Sequence, residues 1–141
     1  MKQALCLTAG VAVLLWVSRV GLGPGAAARA GYTAMTPLAA AIAATFLWLW
    51  RERATPLALG MAFSWAGAAG LCLWWARVGA APGPLPGQAV PPAVFACLAL
   101  YLTGALLHFA VIRSSLPSGA ARGLVWGTAA ATAAVLVPLL R

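Results

Sequence analysis

The stretch "PLALGMAFSWAGAAGLCLWWARV", Pro56–Val78, contains one charged residue, Arg77, and no acid. About 20 consecutive apolar residues suffice to cross the hydrocarbon core of a bilayer as an α-helix. The run is rich in Ala, Gly and Leu and lacks the alternation of polar and apolar residues that marks a barrel strand. It therefore predicts a transmembrane helix over residues 56–78.

Four further apolar stretches cover approximately residues 4–22, 32–50, 91–112 and 123–140. Over all 141 residues the chain is 64% hydrophobic and 7% charged, with a mean hydropathy of +0.96. Soluble domains carry about 25% charged residues. The segments between the stretches are short and contain Gly, Pro and Arg, so consecutive helices should pack antiparallel. We predict an all-α fold: a polytopic integral membrane bundle of about five transmembrane helices in a single domain.

A ten-residue phrase occurs twice, as "WVSRVGLGPG" at residues 16–25 and as "WWARVGAAPG" at residues 74–83, an offset of 58. Further along, Thr36-Pro37 corresponds to Pro91-Pro92 at the expected start of the following helix. The repeating unit is two helices with their loops, used about two and a half times. Because two crossings return the chain to the same side, this tandem repeat is parallel and places Arg19 and Arg77 at one membrane face.

The net charge is +8, from nine Lys and Arg against one acid, Glu52. The arginines stand singly at the ends of apolar stretches and form no basic stripe, which argues against nucleic acid as a partner. Arginines in these positions anchor helix ends at lipid headgroups. The predicted anchors are Arg19, Arg51, Arg53, Arg77 and Arg113.

We expect membrane lipids and another membrane protein subunit as partners, in a bacterial plasma (inner) membrane. The positive-inside rule favours a cytoplasmic N-terminus, by five basic residues against four. The first stretch also resembles a cleavable signal peptide, but its part in the duplication favours its retention as a helix.

His108 is the sole histidine, and Tyr101 and Gly104 precede it on the same helical face. An ionisable residue inside a membrane helix is a candidate functional site, although a packing or interfacial role also fits His108. Trp65 and Trp126, equivalent in the repeat, are candidate walls of a pocket for a porphyrin, carotenoid or sterol, and an aromatic belt is the simpler interpretation. The candidate ligand-binding residues are Tyr101, His108, Trp65 and Trp126.

Neither a metal site nor a cofactor is expected. The three cysteines, Cys6, Cys72 and Cys97, have neither disulfide nor zinc spacing. Predicted helices contain no acid, which argues against a proton pump, a cation transporter and a metallohydrolase.

Small residues are dense in "SWAGAAGLCL" (64–73) and "WGTAAATAAV" (126–135), so the third and fifth helices should form the inner seam of the bundle or a contact with another subunit.

"MTPLAAAIAATFLWLW" followed by "RERATPLALGMAFSWAGAAGL" resembles the YhhN family of polytopic membrane proteins, which includes lysoplasmalogenases. Pro37 and Leu38 match that family's Lys-Pro-Leu motif. Ser64 and Gly67 match its Ser-x-x-Gly-Asp-like motif, and "LLHFAVI" is similar to the setting of its later histidine, His108 here.

Two residues depart from the family pattern: Thr36 stands in place of its lysine and Ala68 in place of its aspartate. The resemblance covers about half of the chain, and the family usually has eight helices. It implies a helical membrane fold and, as an alternative function, hydrolysis of lyso ether lipids.

Three functions are therefore open. The first is a non-enzymatic accessory or structural subunit or a binder of an apolar ligand, the second a YhhN-like hydrolase, and the third a small transporter or flippase subunit suggested by the tandem repeat.

Overall fold

The computed structural model describes residues 2–78 and 90–139 and contains five helices in this part of the chain. No β-strand occurs in these two ranges, which confirms the predicted all-α fold. The helices are α1 (Lys2–Leu22), α2 (Pro24–Arg53), α3 (Pro56–Val78), α4 (Pro92–Ser115) and α5 (Ser118–Leu139).

Among the described residues, α1 to α4 are long and apolar enough to cross a membrane. The protein is thus a multi-pass integral membrane protein. The sequence predicted about five spans, and α5 is not among these four.

The packing is centred on α3, which lies between α2 and α4. Of the described helices, α1 contacts only α2, and α5 contacts only α4. The buried apolar residues are small, because helices in lipid associate by close packing of small side chains. They are Ala27, Ala39, Ala58, Ala62 and Cys72.

Helix α2 begins at Pro24, eight residues before the predicted residue 32. The predicted spans 4–22 and 32–50 leave residues 23–31 between them, but the connection is the single residue Gly23, with φ 83° and ψ 160°. Proline suits the first helical position, and the alanines that follow are the strongest helix formers. Pro37 therefore lies inside α2, whereas its expected equivalents, Pro91 and Pro92, stand at the start of α4.

The other helix ends follow similar local rules. Ala54, at φ 48° and ψ 31°, ends α2 in the left-handed conformation, and its N–H donates to the Trp50 carbonyl at 2.6 Å. Helix α5 begins at Ser118 rather than 123, because only Leu116 and Pro117 interrupt the chain after α4. Gly79, Pro82 and Gly83 of the second phrase, and residue 140 of the fifth predicted span, lie outside the described residues.

Candidate functional site

The α3–α4 contact is built on glycines that allow the two backbones to touch. A Cβ atom added to Gly67 would lie 2.5 Å from the Cys97 carbonyl oxygen and 2.6 Å from the Tyr101 backbone nitrogen. Both distances are shorter than real Cβ atoms adopt. Gly67 is therefore required by the close approach of α4.

The same contact continues towards the start of α3. A Cβ atom on Gly104 would lie 2.5 Å from both the Gly60 carbonyl oxygen and the Ser64 hydroxyl oxygen. A Cβ atom on Gly60 would lie 3.1 Å from the Leu107 Cβ. We call this contact, formed by Gly60, Ser64 and Gly67 against Tyr101 and Gly104, the glycine seam.

His108 lies at one end of the glycine seam and is half-buried. Its ring nitrogen Nδ1 is 3.0 Å from the Met61 sulfur Sδ of α3. When Nδ1 carries the proton, it donates a weak hydrogen bond to the thioether. The contact joins α4 to α3. The thioether of Met61 is neither an acid nor a base, so it cannot exchange a proton with the imidazole.

Tyr101 shares the α3-facing side of α4 with His108 through its backbone and Cβ, as the helical spacing predicted. The whole residue is nonetheless 43% exposed. This side of α4 therefore packs against α3 at the backbone of Tyr101 and His108.

Trp65 and Trp126 do not lie together. Trp65 is half-buried on α3, whereas Trp126 on α5 is 72% exposed. In the described part of the chain, α3 and α5 make no contact. A pocket shared by these two tryptophans is thus not formed within this chain, and the small residues of α3 and α5 do not form one inner seam.

An apolar cavity that sequence reasoning missed lies between α3 and α4, near the end of α3. Its volume is about 430 Å³, and Tyr32 of α2 stacks on one of its wall residues, Trp75, with ring centroids 6.4 Å apart. The adjacent tryptophans at 74 and 75 could have signalled it, but they also fit an aromatic belt. The lining residues are Leu71, Trp74, Trp75, Val78, Val90, Val94 and Leu98.

The arginines at the ends of α1 and α3 occupy matching positions. Arg19 lines a groove of about 440 Å³ between α1 and α2 together with Leu15. Arg77 lines a groove of about 260 Å³ between α3 and α4 together with Leu73. The two copies of the repeated phrase thus place the same Leu and Arg beside the following helix.

The remaining predicted anchors, Arg51, Arg53 and Arg113, lie in the last turns of α2 and α4. Arg51 and Arg53 are exposed in the last turn of α2. Arg113, in the last turn of α4, shares a pocket of about 420 Å³ with Arg122 of α5. The sequence identified Arg113 as a separate anchor and missed this pair, because the short turn that brings the two residues together was read as a longer loop.

The described residues contain no group of three or more His, Cys, Asp or Glu side chains able to hold a metal ion. No family model, curated protein or solved structure matches this chain.

Proposed function

We propose that this protein is a non-enzymatic structural or accessory subunit of a bacterial plasma membrane. The observation that carries the proposal is the glycine seam, where backbone contact fixes the distance between α3 and α4. In this proposal α2, α3 and α4 form a rigid scaffold, and α1 and α5 contact lipid or another membrane protein.

The exposed apolar surface of α1 supports its proposed contact with lipid or another membrane protein. Leu7 is 70% exposed and Leu14 is 67% exposed, although α1 is apolar enough to span a membrane. Helices associate in lipid through packing and not through the hydrophobic effect, so such a face suits a second membrane protein as well as acyl chains.

Photo-crosslinking from defined positions tests the accessory role in native membranes. A photoreactive residue at Leu7 or Leu14 is expected to capture one protein of constant mass. Leu106 on α4 is the matched control, since it is 69% exposed, and it should give lipid adducts only. Lipid adducts from all three positions, with a clean monomer in mild detergent, would contradict the accessory role.

Binding of an apolar ligand is a second candidate, favoured by the cavity beside Trp74 and Trp75. Its walls are aliphatic and aromatic, as in sites that bury most of an apolar ligand. Organic extraction of the purified protein should release a stoichiometric apolar compound that a Trp74→Ala variant does not retain. The control variant is Trp48→Ala, whose side chain is exposed on α2. Equal retention of the compound by both variants would exclude this cavity as its binding site.

The hydrolase and the transporter or flippase subunit are alternatives with less support. Ser64 and His108 both lie along the seam, but Met61 is the ring partner of His108. A transporter needs a polar path between helices, whereas small residues close this contact. Cleavage of a lyso ether lipid by the purified protein, abolished in His108→Leu, would favour the hydrolase.

A further inference from the structure

Two arginines from different helices line one pocket at the α4–α5 junction. Helix α4 ends at Ser115 and α5 begins at Ser118, so a two-residue turn joins the helices that carry Arg113 and Arg122. The pocket has a volume of about 420 Å³. Its walls are Arg113, Ser118, Ala121, Arg122, Val125 and Trp126.

No acid stands among these wall residues. The whole chain has one acid, Glu52, against nine Lys and Arg. Two guanidinium groups that share a pocket repel each other, and the repulsion is relieved by an anion placed between them. Since none of the wall residues is acidic, an anion bound between these two exposed arginines would come from another molecule.

The form of the pocket indicates which anion it binds. Guanidinium groups bind phosphate oxygens in a bidentate manner and are favoured over Lys where this geometry matters. Val125 and Trp126 continue the pocket as an apolar wall along α5, and tryptophan is typical of the headgroup level of a bilayer. A ligand that combines a phosphate with an acyl chain fits both parts.

We propose that Arg113 and Arg122 bind the phosphate of an anionic phospholipid, whose acyl chain lies against Val125 and Trp126. Basic pockets between membrane helices are known sites for anionic headgroups. Because α4 is the only described helix that α5 contacts, the lipid would also hold α5 against α4. This site does not depend on the proposed accessory role.

Lipid retention tests the site in nanodiscs of phosphatidylcholine with or without phosphatidylglycerol. Native mass spectrometry should show retained phosphatidylglycerol on the wild-type protein. The double variant Arg113→Gln/Arg122→Gln should lose this preference by about tenfold or more. The control Arg51→Gln/Arg53→Gln removes two charges from predicted headgroup anchors that do not line this pocket, and it should lower the preference much less.

Thermal unfolding in phosphatidylcholine alone checks that the double variant is folded. If it is not, the single variants Arg113→Gln and Arg122→Gln replace it, and each should lower the preference. An unchanged preference in the folded variants would overturn the proposal. A final arm adds inorganic phosphate to the wild-type protein in phosphatidylcholine nanodiscs. If the site binds a lipid, phosphate should raise the unfolding temperature little. A large rise with phosphate, without a preference for phosphatidylglycerol, would also overturn the proposal.

Discussion

Gly67 of α3 and Tyr101 of α4 are in backbone contact: a Cβ atom at residue 67 would lie 2.6 Å from the Tyr101 nitrogen and 2.8 Å from its Cβ. The separation of these two helices is therefore set by the absence of a side chain. In lipid, where burial of apolar surface gives no drive for helix association, contacts of this kind hold the bundle together.

Replacing Gly67 with alanine is expected to destabilise the protein. The new methyl group would meet backbone atoms of α4 that cannot rotate away, and overpacking of this kind costs about 1–3 kcal/mol. Thermal unfolding followed by tryptophan fluorescence in detergent measures the loss. The control is Gly127→Ala on α5, where nothing lies within 4 Å of the added Cβ. Equal unfolding temperatures for both variants would argue against the seam.

Gly23 should resist replacement for a different reason. Nothing lies within 4 Å of a Cβ there, but φ 83° with ψ 160° is a conformation that is essentially restricted to glycine. Gly23→Ala is expected to cost about 1–3 kcal/mol through the backbone alone. Gly25→Ala, two residues later inside α2 and equally open, is the matched control in the same unfolding experiment. A neutral Gly23→Ala variant would show that α1 and α2 are joined in another way.

Replacing Ala54 with glycine is expected to stabilise the protein. An L-residue in the left-handed conformation costs about 1–2 kcal/mol, which glycine avoids. Ala54→Gly is thus expected to raise the unfolding temperature. The same substitution at Ala34, exposed inside α2, should lower stability by about 1 kcal/mol. Changes of the same sign at both positions would contradict the observed end of α2.

The stack of Tyr32 on Trp75 should couple α2 to α3. Such pairs contribute about 0.5–1.5 kcal/mol beyond their buried area. A double-mutant cycle with Tyr32→Leu and Trp75→Leu, measured by unfolding in detergent, should give an interaction energy in this range. The cycle of Tyr32→Leu with Trp48→Leu should give none. Coupling below about 0.3 kcal/mol in the first cycle, within the additivity limit for independent sites, would rule out the stack.

The helices were predictable where composition alone decides them. The span Pro56–Val78 was predicted with its observed bounds, because Pro56 begins it and the apolar run is uninterrupted as far as Arg77. The start of α2 was predicted wrongly. Gly and Pro indicate a turn, and composition cannot distinguish a turn of one residue from a longer loop.

The partners of each helix were harder to predict. Small residues on α3 correctly indicated a close contact, but the helix that meets them is α4 and not α5. Small residues permit a close approach without specifying which helix makes it. Gly104 is the complementary residue on α4, and one glycine in an apolar run gives little signal. For the same reason the pairing of Arg113 with Arg122 emerged only from the folded chain.

A disulfide between Gly70→Cys and native Cys97 tests the contact between α3 and α4 most directly. Cys97 lies beside the glycine seam, because its carbonyl oxygen meets Gly67. A Cβ atom at residue 70 would lie 3.2 Å from the Cys97 Cβ, slightly closer than the spacing of about 3.5–4.5 Å found in disulfides, so a small separation of the two helices would allow the bond to form. The experiment uses native membranes, mild oxidation and a background carrying Cys6→Ser and Cys72→Ala. After denaturation, maleimide labelling and mass spectrometry report the thiols that remain free. We predict that both thiols are lost in this variant and retained when Gly127→Cys replaces Gly70→Cys. Retention of both thiols at 70 and 97 would contradict the contact between α3 and α4 on which the account rests.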